Sequence, residues 1–106
     1  MKKFDEKLYL QEMYCDYYPK KSVDKIKSIL VATVDFLSTV ECDIEKVQAN
    51  FDTAMLKINE LVDEFYEYGS EFDTVARESV CQTVRFILNH FNIDIDIEKA
   101  TRERDF

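Results

Sequence analysis

DIEKVQANFDTAMLKINELVDEFYEYGSEFD, residues 43–73, decides the fold. Within it Val47, Phe51, Ala54, Ile58, Leu61, Phe65 and Tyr68 recur at alternating spacings of four and three, which keeps one apolar stripe on one face of an α-helix. At 1.5 Å per residue the run predicts a central helix about 37 Å long. Asp43 is its expected N-cap, and Gly69, the single glycine of the chain, suits the left-handed position that ends a helix. Ser70-x-x-Asp73 then has the form of a capping box opening a further helix, which Phe72, Val75, Val80, Val84, Ile87 and Phe91 carry forward.

Towards the N-terminus, Ser22 is the expected cap of a helix whose apolar positions are Val23, Ile26, Leu30, Val34, Leu37 and Val40. Pro19 pushes Tyr18 out of the α region, so Asp16 to Lys21 predicts a break. Before it, Asp5 to Cys15 predicts a first helix with an irregular apolar side of Phe4, Leu8 and Met13. Beyond the central run, Asn92 to Asp96 forms a loop, and Asp96 caps a short last helix from Ile97 to Arg104. The expectation is an all-α chain, an antiparallel four-helix bundle with a short C-terminal helix, forming one domain over residues 1–106.

Composition agrees with this class. A chain of 106 residues with 46% hydrophobic residues has enough apolar surface for one core, and one Gly with one Pro leaves few turns. The net charge of −8 argues against nucleic-acid binding and for a basic protein partner or a cation. Cys15, Cys42 and Cys81 are odd in number and far apart, which points to reduced thiols and a cytoplasmic protein rather than to disulfides or structural zinc. The N-terminal stretch has acids where a signal peptide needs its apolar run, and no segment approaches the roughly 20 apolar residues of a membrane span.

The candidate site is the acidic corner around Gly69. Glu60, Asp63, Glu64, Glu67, Glu71 and Asp73 lie there with no Lys or Arg among them, interleaved with Phe65, Tyr66, Tyr68 and Phe72. Like charges four residues apart each cost about 0.2–0.5 kcal/mol, and Glu64 and Glu67 sit where the helix dipole prefers cations. Short connections bring the Tyr17-Tyr18-Pro19 loop to the same end, along with Lys20, Lys21, Lys25 and Arg77. Two readings stand: those cations neutralise the acids within the fold, or Tyr17, Tyr18, Glu64, Glu67, Tyr68, Glu71, Asp73 and Arg77 form a binding surface.

Other chemistry is poorer. A single histidine, His90, rules out the paired Glu-x-x-His di-iron pattern and reads as the polar edge of its helix. Asn92-x-Asp94-x-Asp96 opens like a calcium loop but lacks its Gly and distal Glu, leaving turn and capping roles. Neither Cys81 nor Cys15 has an expected base within reach, so both read as small hydrophobes. No catalytic residue, metal ligand or cofactor emerges.

Tyr17-Tyr18-Pro19, Val23-Asp24-Lys25, Glu64-Phe65, Ser70-Glu71, Thr74-Val75-Ala76-Arg77-Glu78 and the closing Arg104-Asp105-Phe106 resemble a family of small uncharacterised bacterial proteins classed as a domain of unknown function. The likeness spans nearly the whole chain; where the family pattern ends on Trp, this chain has Phe106. It implies a helical cytoplasmic protein, supplies no activity, and draws Arg77, Glu78, Arg104 and Asp105 into a shared polar network. The tyrosine pair before proline is also similar to that of bacteriocin immunity proteins, small acidic helical inhibitors in which the pair comes later. The sequence thus favours an interaction module for a basic protein, immunity- or antitoxin-like inhibition being one form, over an enzyme or divalent-cation protein using the same carboxylates. A monomer, or a homodimer burying Ile29, Val31 and Met55, is compatible with the pattern.

Overall fold

A computed structural model describes residues 3–39 and 43–106. Its elements are α1 (Lys20–Thr39), α2 (Ile44–Glu67), α3 (Thr74–His90) and the one-turn α4 (Ile97–Ala100), preceded by a single 3-10 turn at Glu6–Leu8. No strand occurs among the described residues. At 1.5 Å per residue the 24 residues of α2 span about 36 Å, which sets most of the 41 Å long dimension of the molecule. α1 packs directly along α2. The two run antiparallel, since Ser22 and Lys25 near the start of α1 reach Glu64 near the end of α2. None of the described helices is long and apolar enough to cross a membrane. Val40 and Cys42, the expected end of one helix and one expected thiol, lie outside the described residues.

The first expected helix does not form. Asp5 caps the Glu6–Leu8 turn by accepting from the Lys7 amide, and Leu10 then takes φ +46°, the left-handed region that costs a branched side chain about 1–2 kcal/mol. Two contacts hold it there. The Leu10 amide donates to Thr83 Oγ1 on α3 at 3.0 Å, and the side chains of Phe4, Tyr9, Leu10 and Met13 are all buried. The irregular apolar spacing that spoiled a helical stripe is thus satisfied by a turned segment that drops side chains into the core wherever the chain passes over it. The four helices are therefore three long ones and α4, not the set the spacing suggested.

Helix ends divide by how local their chemistry is. Asp43 accepts from the Glu45 and Lys46 amides and Asp96 from Glu98, as expected. Gly69, at φ +78°, closes α2 in a Schellman arrangement: its amide donates to Tyr66 O and the Ser70 amide to Phe65 O. Asn92 does the same for α3 at φ +52°, with bonds to Asn89 O and from Ile93 to Leu88 O. Two expected caps are replaced. α1 begins at Lys20, its first bonds accepted by Pro19 O, and Ser22 is buried inside its first turn. α3 begins at Thr74 with Asp73, not Ser70, as the capping residue. The two serines are not free to cap because their hydroxyls are engaged elsewhere, Ser22 with Glu64 and Ser70 with Tyr17 O.

The core is built from Val23, Ile26 and Leu30 of α1, Phe51, Met55, Ile58 and Phe65 of α2, and Ala76, Val80, Val84 and Ile87 of α3. The expected stripes drift at their ends: Tyr68 and Val75 are exposed, whereas Ser79 and Thr83 are buried on α3. Residues 99–106 are laced to α2 by polar groups on one of its faces. Gln48 donates to Lys99 O, Asp52 holds Arg102 through paired bonds of 3.1 and 2.7 Å, and Asn59 bonds both Glu103 O and the Asp105 amide. Phe106 then meets Phe72 edge to face at 5.1 Å.

Candidate functional site

The Gly69 corner is organised around a chain of aromatic rings. Tyr18, Phe65, Phe72 and Phe106 follow one another at centroid distances of 6.1, 5.1 and 5.1 Å, each pair tilted towards edge-to-face. Phe65 and Phe72 are buried, so the rings join the Tyr18 loop, the end of α2, the corner and the C-terminal segment. Ser70 Oγ donates to Tyr17 O at 3.0 Å, tying the loop to the corner by backbone as well.

Among the expected site residues, three are committed to the fold. Tyr18 is 6% exposed and its hydroxyl donates to Asp73 Oδ1 at 2.6 Å, while the same Oδ1 accepts from the Ala76 amide. The Tyr18 bond, and secondarily the amides of the first turn of α3, hold the Asp73 carboxyl below its ordinary range; burial and this same bond push the Tyr18 phenol up. Glu64 accepts from Lys25 at 3.0 and 3.2 Å and from Ser22 at 3.2 Å, and the Lys25 bonds above all lower its pKa.

The rest of the corner faces outward. Tyr17, Tyr66 and Tyr68 are 54%, 55% and 59% exposed, and Glu67 and Glu71 are exposed and form no ion pair with a described cation. Tyr17 stacks edge-on against Tyr18 at 4.9 Å, and desolvation with the charges of Glu71 and Asp73 raises its phenol pKa. Internal neutralisation thus reaches Glu64 through Lys25, with Lys21 acting on it through space, and stops there. Arg77 does not join it: its side chain lines a groove between α3 and the C-terminal segment. Glu78 and Arg104 line the same groove, whereas Asp105 bonds Asn59 through its amide.

Acid should loosen this end in a traceable way. A carboxyl whose folded pKa is depressed contributes stability that is complete above its unfolded value near 4 and is lost as pH falls through the lower folded value. At this end Asp73 and Glu64 are both depressed, and farther along α2 so is Asp52, held by Arg102. Tyr18→Phe removes the largest cause at Asp73, so the fall in Tm between about pH 4 and pH 2 should be shallower in that variant than in wild type. Parallel curves from scanning calorimetry would show that the bond does not couple to folding.

Among the remaining candidates, His90 packs edge-on against Phe4 and Phe91 at 5.4 and 4.8 Å. Asn92 and Asp96 act in helix ending and capping. Cys15 is exposed; Cys81 is half-buried, and burial pushes its thiol up. Met55, offered as spare for a dimer, is fully buried, Ile29 and Val31 pack against the core, and Leu56 is exposed at 51%. No three His, Cys, Asp or Glu side chains gather closely enough to hold a metal ion among the described residues. The lacing by Gln48, Asp52 and Asn59 escaped sequence reasoning; their spacing of four and seven on α2 was its one available signal.

Residues 3–106 match the model of a family described as "Family of unknown function (DUF5713)". Neither a curated protein nor a solved structure matches the chain.

Proposed function

The chain belongs to that family of unknown function, matched across residues 3–106, and we propose that it is a bacterial cytoplasmic interaction module whose Gly69 end receives a basic protein surface. One observation carries the reading: three exposed tyrosines, Tyr17, Tyr66 and Tyr68, share that end with the exposed carboxylates Glu67 and Glu71. Tyrosines supply rigid contact area at low entropic cost, and carboxylates steer a cationic partner and fix its orientation. Tyr18, Asp73 and Glu64 serve as the frame beneath, held by their mutual bonds and by Lys25. Inhibition of a basic enzyme, as an immunity protein or antitoxin does, is one form of such binding. The module acts as a monomer or a homodimer.

Photo-crosslinking from position 68 in living cells, followed by affinity measurement with the protein captured, tests this. Tyr17→Ala/Glu67→Lys/Glu71→Lys should melt as wild type does yet bind more than about tenfold more weakly, and wild-type affinity should fall with salt. Equal binding by wild type and variant would remove the proposal.

A further inference from the structure

The chain has four arginines, and three of them, Arg77, Arg85 and Arg104, line one groove of about 440 Å³ between α3 and the C-terminal segment. The fourth, Arg102, is paired with Asp52. In a chain of net charge −8, with 22 acidic residues, three of four arginines gathered in one groove make a local concentration of positive charge. Here none of the three forms an ion pair with a described side-chain carboxylate, although Glu78 and Glu98 line the same groove. Arg104 is positioned over the Phe106 ring at 5.9 Å and donates from Nη1 to Phe106 O at 3.4 Å, which leaves the rest of its guanidinium for the groove.

Arg77 and Arg85 stand eight residues apart on α3, about 12 Å along one face. Arg104 lines the groove with them from the C-terminal segment. No lysine joins them, and arginine is the cation whose planar fork fits two oxygens of a phosphate or carboxylate at once. The volume falls in the range of small-molecule sites, and the two glutamates can accept from hydroxyl or amino groups of the same ligand.

We propose that this groove binds a small molecule carrying two oxyanion groups, phosphate or carboxylate, held by Arg77, Arg85 and Arg104. The site is separate from the acidic corner and stands without the reading given for it.

Isothermal titration calorimetry at low ionic strength with inorganic pyrophosphate, and separately with citrate, tests it. Saturable binding of at least one is expected, weakened about tenfold or more in Arg77→Gln and again in Arg85→Gln. Both arginines are exposed, so the variants should melt as wild type does. Lys57→Gln, an equal charge change at an exposed position on α2, should leave affinity within about twofold. Binding of pyrophosphate alone would assign a phosphate ligand, and of citrate alone a carboxylate. Flat titrations with both, or an equal loss in Lys57→Gln, would overturn the proposal by leaving only diffuse attraction.

Discussion

Phe65→Ala should lower the stability of the fold more than truncating any other ring at this corner. Phe65 is fully buried and stands second in the ring series, touching Tyr18 on one side and Phe72 on the other. Truncating such a ring costs about 3–5 kcal/mol, against a total stability of about 5–15 kcal/mol for a domain of this kind. The corresponding fall in Tm is roughly 15 °C or more. Val75→Ala supplies the contrast: Val75 is 47% exposed, and its loss should stay within about 0.5 kcal/mol. Urea unfolding of both variants distinguishes the aromatic core of the corner from the position that periodicity alone would have placed there. Comparable losses would mean that the ring series is not the element holding the corner.

The second large effect belongs to Thr83. Its hydroxyl donates to Ser79 O within α3 and accepts the Leu10 amide, joining a buried backbone donor to a helix 73 positions away. Thr83→Val keeps the shape and removes the acceptor, leaving a buried amide unpaired at a cost of about 1–3 kcal/mol. Because Leu10 is in the left-handed region, the loss should concentrate in the N-terminal segment. Hydrogen exchange at the Leu10 amide should accelerate sharply while the middle of α2 stays protected. Thr83→Ser restores the oxygen and should recover most of the stability. If Ser behaves like Val, the hydroxyl is not what fastens the segment.

How legible each feature was in the sequence depended on the distance over which its cause acts. Asp43, Gly69 and Asp96 were readable because caps bond amides two or three residues away, and the α2 stripe because helical period is a local property. Ser22 and Ser70 were misread for the same reason: their hydroxyls bond Glu64 and the backbone of Tyr17, 42 and 53 positions away, and no local pattern records that. Phe4, Leu8 and Met13 show apolar content without period, which is compatible with any path that covers the core. Gln48, Asp52 and Asn59 look like solvated polar positions until the C-terminal segment arrives to meet them. At the corner, the short connections did place the Tyr17-Tyr18 loop beside Ser70 and Asp73. Sequence could not say that Tyr18 and Asp73 bond each other, nor that Arg77 turns to another face.

α2 answers to a neighbour on nearly every side: core residues on one face, Gln48, Asp52 and Asn59 against the C-terminal segment, Glu64 against α1. What remains open to water includes a single stripe, Ala49, Thr53, Leu56, Glu60, Asp63 and Glu67. Apart from the Thr53 hydroxyl, which bonds Ala49 O within the helix, descendants of this chain can rewrite that stripe without disturbing a described side-chain bond. Drift should therefore erase its character first, and wherever relatives keep Glu60, Asp63 and Glu67 acidic, selection is acting on something other than the fold.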